Sequence, residues 1–198
     1  DLSGRDPRIG KARIVVACDV SNPLTGPDGA AHVYGPQKGA TPQQVEQLDG
    51  GLEHLAGLWQ EQLGLDLLKM PGAGAAGGLG GGLVAFGGAS LRRGIEIVLE
   101  AVRFKGRAAG CDLCLTGEGR LDGQSLSGKA PLGVAAACPA VPTVALVGSV
   151  GQEVQRCIDA GLAGYRVIGE GLSTEESMRR AAELLEAAAA ATVHEMAT

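Results

Sequence analysis

Apolar positions along the chain fall into short runs of two kinds, and the two kinds alternate. The run Ile14-Val15-Val16-Ala17-Cys18 is β-branched, brief and flanked by polar residues, the pattern of a buried strand. Residues 21–38 hold Asn22-Pro23, Gly26-Pro27, Asp28-Gly29 and Gly35-Pro36, so many turn formers that a long loop with no regular element is expected. Thr41-Pro42-Gln43-Gln44 supplies an N-cap, a proline at the first helical position and a glutamine where a capping box places one. Val45, Leu48, Leu52, Leu55 and Trp59 then continue at helical spacing. Further on, the pattern predicts a helix over 95–103, a strand over 112–115, a polar loop over 116–127 and a short helix over 130–137. A strand over 143–147, a helix over 153–160 and a strand over 165–168 follow. Ser173 and Glu176 form a second capping box before a long alanine-rich helix ending near His194. Strands alternating with helices predict an α/β fold with a largely parallel sheet and flanking helices.

Composition adds to this picture chiefly by exclusion. Only 3% of the residues are aromatic while 33 are glycine, so the core must be built from Val, Ile, Leu and Ala at close approach. Seventeen Lys and Arg against 22 Asp and Glu give a net charge of -5, with no basic run to neutralise phosphates, which disfavours nucleic-acid binding. No apolar stretch is long enough for a bilayer, and no charged-then-apolar leader precedes the chain, so no membrane partner is expected. The chain opens on Asp1-Leu2-Ser3-Gly4 without methionine, which places its true beginning elsewhere as an expectation. Five scattered cysteines read as reduced thiols of a cytoplasmic protein. Cys111-x-x-Cys114 falls in a predicted strand, where residues three apart point to opposite faces and cannot close on one metal ion. His32, His54 and His194 show no metal-ligand spacing.

Three segments could carry chemistry. The glycine-alanine stretch 71–90 would make a poor ordinary helix, so something approaches its backbone closely. Gly72, Gly74 and Gly77 match a dinucleotide fingerprint, but no convincing strand precedes them and no acidic residue follows at the expected distance. Anion binding at a helix N-terminus and plain backbone packing both explain these glycines. The second segment, 116–129, is the densest polar stretch and leaves the C-terminal end of a predicted parallel strand, where open α/β sheets bind ligands. Its Glu118, Arg120, Asp122, Ser125 and Lys129, with Gly117 and Gly128, suit phosphate and Mg²⁺ handling, or else a solvated turn with local ion pairs. Gly123-x-x-x-x-Gly128-Lys129 nearly spells a P-loop, but Ala130 replaces the hydroxyl residue and Gly123 follows too far behind the predicted strand. Third, Asp19, with Asn22 after it, ends the first strand and could bind metal or substrate hydroxyls, or simply start a turn. Lys38 offers a further loop cation, or a solvated one.

Three long segments in this order, CDVSNPLTGPDGAAHVYGPQKGAT, PGAGAAGGLGGGLVAFGGA and LTGEGRLDGQSLSGKAPLGVA, resemble consecutive signatures of bacterial glycerate kinases, and the closing GSVG and STEESMRRAAELL resemble that family's C-terminus. The resemblance covers nearly the whole chain. It implies transfer of the ATP γ-phosphoryl group to a hydroxyl of glycerate with Mg²⁺, 2-phosphoglycerate being the favoured product, on a two-domain α/β scaffold unrelated to P-loop kinases. On chemical grounds Asp122 would be proton acceptor or metal ligand, Glu118 a metal ligand, and Arg120 and Lys129 binders of phosphate or carboxylate. Asp19 and Asn22 would line the same cleft, with Lys38, Gly72, Gly74, Gly77, Gly117, Ser125 and Gly128 contacting substrate or nucleotide. The family's Asp-Ser-Phe-Lys-Gly-like and Gly-Gly-Ser-Ala-Thr-Asn-Asp-like motifs do not occur, so the chain resembles the C-terminal half, with a division expected near residues 105–110. Such a half would be inactive alone if the other half supplies catalytic groups, leaving a non-catalytic nucleotide- or anion-binding module as the alternative. Its uncovered apolar surface would favour a homo-oligomer or the absent N-terminal half as partner.

Overall fold

The computed structural model describes residues 4–196, and the opening Asp1-Leu2-Ser3 lies outside them. The chain forms two compact units that divide between Gly94 and Ile95, earlier than the division expected near 105–110.

In the first unit, β1 (Val15–Ala17) pairs in parallel with a second strand, β2 (Ser90–Arg92), which the glycines before it had hidden. Between them run α1 (Ala30–Tyr34), α2 (Pro42–Leu63) and α3 (Ala75–Gly87). The segment expected to be all loop thus contains a helix, followed by a turn of 3-10 helix over Pro36–Lys38. Turn formers bracket α1 rather than interrupt it: Gly29 and Gly35 flank Ala30 and Ala31, whose small side chains are buried. The capping box on α2 forms as read, with Thr41 Oγ1 accepting the Gln44 N–H at 3.3 Å and Gln44 Oε1 accepting the Thr41 N–H at 2.8 Å. Gly64 ends the helix in the left-handed conformation at φ 68. Leu24, Ala56, Trp59, Leu67, Ala73 and Ala85 form the core, and Trp59 meets Phe86 edge-on at 5.8 Å.

The second unit begins with α4 (Gly94–Ala101), whose first residue lies at the division, and α5 (Phe104–Ala108). Its sheet is wholly parallel, in the order β3 (Cys114–Leu121), β4 (Thr143–Val150), β5 (Gly164–Val167). Helix α6 (Ala130–Ala137) links β3 to β4, and α7 (Gln155–Asp159) links β4 to β5. The core joins Leu121, Ala145, Val147 and Cys157 to Leu132 and Ala135 of α6.

Three expectations are corrected here. Residues 116–121 belong to β3, not to a loop, because register positions against β4 at Cys114 through Glu118 and again at Arg120 and Leu121 outweigh the weak strand propensity of Gly117 and Gly119. Cys111 precedes the strand and is exposed, while only Cys114 is in it. The long terminal helix is two, α8 (Thr174–Arg179) and α9 (Ala181–Met196), broken at Arg180. Ser173 caps α8 through the Glu176 N–H at 3.2 Å, while the Glu176 carboxylate turns to Arg180 instead of completing the box.

Candidate active site

β3 ends at Leu121, so Asp122 stands at the carboxyl edge of a parallel strand and the polar segment begins there. A 3-10 turn over Gly123–Ser127 follows, and Gly128 reverses the chain at φ 100 into Lys129, the N-cap of α6. Asp122 shapes this segment itself: its Oδ1 accepts the Gln124 N–H at 3.0 Å, and its carbonyl accepts the Ser125 N–H at 2.9 Å. Ser125, fully buried, accepts the Asp122 N–H on its hydroxyl at 3.3 Å and so supports the turn from inside. The second Asp122 oxygen lies 3.2 Å from Arg120 Nε, in a pair whose arginine is 63% exposed.

This geometry removes one objection to a P-loop and supplies a stronger one. Gly123 follows Leu121, the last residue of the strand, by two positions. Five of the amides that would cradle a phosphate are already bonded: Gly123 N–H goes to Gln152, Gln124 to Asp122, Ser125 to Asp122, and Gly128 and Lys129 to Ser125. An anion here would meet the Lys129 ammonium and the first turn of α6, where Pro131 carries no N–H and Gly133 N–H already bonds the Lys129 carbonyl at 3.1 Å. A lysine at a helix N-cap opposes the helix dipole, an arrangement that a bound anion would relieve.

Three residues that sequence reasoning passed over complete the site. A Cβ at Gly151 would stand 2.7 Å from Asp122 Cβ and 3.0 Å from Arg120 Nε and Nη2, so the bare backbone of Gly151 is what lets the ion pair lie across it. Glu153, at φ 61, packs its carboxylate over Gly123 and pairs with Arg156 at 3.1 Å. Cys157 donates its S–H to the Asp122 carbonyl at 3.4 Å, and burial first, then the Asp122 charge, pushes its thiol above the ordinary value. The GSVG that begins at Gly148 was the visible signal for Gly151, whereas nothing marked Glu153 or Cys157.

The candidates of the first unit are mostly engaged in holding that unit together. Asp19 Oδ1 accepts the Gly94 N–H at 2.7 Å. Asn22 receives the Tyr34 hydroxyl at 2.6 Å and donates to the Asp28 carbonyl at 2.8 Å, while its own carbonyl accepts the amides of Gly72 and Gly74. A Cβ at Gly72 would sit 2.9 Å from Cys18 Sγ, and one at Gly74 only 2.1 Å from the Pro23 carbonyl oxygen. Close backbone packing therefore accounts for these two glycines. Gly77 differs: at φ 75 it faces open space, between Ala76 at φ 52 and Gly78 at φ 96. Lys38 is exposed in the 3-10 turn. His32 lies 3.4 Å from Glu46 and 3.5 Å from Asp49, and Asp49 also accepts the Gly26 N–H, so this group ties α1 to α2.

The hard oxygen donors of Glu118 and Asp122 suit Mg²⁺, which binds one or two carboxylates and completes its shell with water and phosphate. Four residues of extended chain at about 3.3 Å each hold the two α-carbons roughly 13 Å apart, so only one of them can touch a given ion directly. No group of three or more His, Cys, Asp or Glu is placed to hold a metal among the described residues. Gly117 packs close to β4, where a Cβ would lie 3.3 Å from the Leu146 carbonyl oxygen. Among the described residues no helix is long and apolar enough to cross a membrane.

Comparison with known proteins gives this geometry a context. The family model described as glycerate kinase family matches residues 1–197. A glycerate kinase of Halalkalibacterium halodurans is 46% identical over 192 residues, covering 96% of this chain and 50% of that protein. The glycerate 2-kinase of Escherichia coli is 45% identical over 175 residues, 85% of this chain and 46% of that one. A crystal structure described as glycerate kinase 2 from Salmonella typhimurium matches with a TM-score of 0.69 at 45% identity, over 85% of this chain and 44% of that one. The chain spans about half the length of the curated relatives it matches. With a family match running from the first residue to the last but one, and a parallel α/β sheet shared with a solved relative, the chain belongs to the glycerate kinase family.

Proposed function

We propose that this chain carries part of the active site of an ATP-dependent glycerate kinase, and that the reaction gives 2-phosphoglycerate. The observation that carries this reading is the 45% identity to a glycerate 2-kinase, in a chain that sets Asp122 directly after the end of β3 and Lys129 at the start of α6. In phosphoryl transfer the enzyme chiefly positions the reactants and neutralises the oxygens that gain charge. Lys129 and Arg120 supply the cations. Asp122 orients Arg120 and offers its outer lone pairs to the substrate hydroxyl proton or to Mg²⁺, while Glu118 would reach a metal through water. When bound, Mg²⁺ supplies charge neutralisation between phosphate oxygens.

The test is ADP release from Mg-ATP on adding D-glycerate. Turnover that falls by about 10²-fold or more in Lys129→Ala and Asp122→Asn supports the reading. Turnover unaffected by both removes these residues from the chemistry. A second reading, a nucleotide- or anion-binding module without chemistry, is favoured by the half-length match to the relatives. Mg-ATP raising Tm with no glycerate-dependent turnover from a folded sample would select it.

A further inference from the structure

Three of the chain's five cysteines meet at one place, the amino edge of the second unit's sheet, opposite the edge that carries Asp122. Cys114 opens β3 and stands in register with Thr143, the first residue of β4. Register partners in parallel strands show their side chains on the same face. Alternation then places these two on the face of Ala145 and Val147, where Leu132 and Ala135 of α6 pack. Helix α6 runs back over that face and ends at Cys138, its buried C-cap. The turn that follows fastens this helix end to β3: the Cys138 carbonyl accepts the Val141 N–H at 3.0 Å, and the Pro142 carbonyl accepts the Cys114 N–H at 2.9 Å. Cys111, just ahead of the strand, is exposed and pinned to the end of α5. Its N–H bonds the Ala108 carbonyl at 3.1 Å and its thiol the Arg107 carbonyl at 3.7 Å.

The thiols sense one another. Burial first, then the charge of Cys138, pushes the Cys114 thiol above its ordinary value, with a lesser push from Cys111, while the Thr143 hydroxyl pulls it down. Among the described residues this cluster is not one placed to hold a metal ion, so its chemistry is that of thiols and disulfides. We propose that Cys111, Cys114 and Cys138 form an oxidation site for hydroperoxides, in which Cys111 meets the oxidant at the surface and a Cys114–Cys138 disulfide is the product. The Cys111 thiolate, having given its proton to water, attacks a peroxide oxygen; the S–O bond forms, the O–O bond breaks, and the departing oxygen takes up a proton. Cys114 gives up its proton and its sulfur attacks the Cys111 sulfur, forming an S–S bond and expelling hydroxide, which is protonated to water. Cys138 then attacks the Cys114 sulfur in the same way and releases Cys111, whose thiolate water solvates and reprotonates. Two thiols and one hydrogen peroxide thus yield one disulfide and two waters, with Cys111 restored. The bridge joins the first residue of β3 to the C-cap of α6 and closes the stretch that carries Asp122 and Lys129, stabilising that layer by restricting the unfolded chain. Any effect on catalysis rests on the kinase reading, whereas the oxidation does not.

The experiment treats the full chain with stoichiometric hydrogen peroxide and alkylates the remaining thiols under denaturing conditions. Mass spectrometry then maps the cysteines after cleavage before Asp112, which separates Cys111 from Cys114. The expected product has lost two hydrogens, joins Cys114 to Cys138 and leaves Cys18, Cys111 and Cys157 alkylated. It unfolds at a higher temperature than the reduced chain, and dithiothreitol reverses the shift. Cys111→Ser should slow bridge formation by at least about tenfold, and Cys138→Ser should stop the sequence at a Cys111–Cys114 disulfide; circular dichroism of each variant establishes that it is folded. Four outcomes overturn the proposal: every cysteine alkylated after treatment, Cys111 driven to sulfinic acid while Cys114 and Cys138 are both alkylated, a bridge to Cys18 or Cys157, or a bridge formed as fast without Cys111. No readout uses ATP or glycerate, so a failure here leaves the kinase reading standing, and a chain without glycerate-dependent turnover leaves the oxidation site standing.

Discussion

Asp122 is already partnered on both oxygens, by the Gln124 N–H and by Arg120, and this pair lies on the uncovered backbone of Gly151. A methyl group there cannot coexist with the pair as placed. Gly151→Ala is therefore expected to destabilise the chain by about 1–3 kcal/mol in urea unfolding and to weaken Mg-ATP binding as Arg120 is displaced. Ala76 offers the reverse case. It holds a left-handed conformation, which costs an L-residue about 1–2 kcal/mol, so Ala76→Gly should be neutral to stabilising by up to roughly 1 kcal/mol, read from the same unfolding curves. Cys157 gives a pH dependence with a definite sign. Its thiol is raised above the ordinary 9.0, so the unfolded chain loses that proton first, and stability present below about pH 9 should fall as pH rises further. Cys157→Ala should flatten the alkaline limb of a Tm against pH series.

At the scale of elements, the sequence was legible where local chemistry decides the outcome. Thr41-Pro42-Gln43-Gln44 names the start of α2 because the box satisfies its own end amides, and Thr41→Ala should cost about 1 kcal/mol in thermal unfolding. It was illegible where partners decide. Thr116-Gly-Glu-Gly-Arg reads as a loop because glycine gives up backbone entropy in a strand, yet β4 pairs with it across residues 114–121. In the same way, α1 escaped notice because five residues have no measurable period, and its two buried alanines declare themselves only once α2 and α3 are beside them. The site inherits both lessons. Asp122, Lys129 and Arg120 were visible as a dense polar segment, but the burial of Ser125 and the contributions of Gly151, Glu153 and Cys157 come from chain more than twenty residues away or from the inward turn of a hydroxyl.

For the molecule as a whole, each unit has a core of its own, and the groups suited to an anion belong to the second. Mg-ATP should accordingly slow amide exchange over residues 122–132 first, with the core of the first unit unchanged, and equal protection of both units would show that the anion site is not confined to the second. What the sequence determined by itself was the α/β class, the helix with the capping box, and the membership signalled by three long segments in order. These rest on short-range periodicity and on residue identity, both carried by the chain alone. Only the tertiary structure decided that β3 runs to Leu121, that Asn22, Gly72 and Gly74 make close contacts within the first unit, and that Asp122 is held between Arg120 and Gly151. The physical reason is the same in each case: whether a glycine, a carboxylate or a hydroxyl is structural or available depends on which distant backbone occupies its hydrogen bonds and its space.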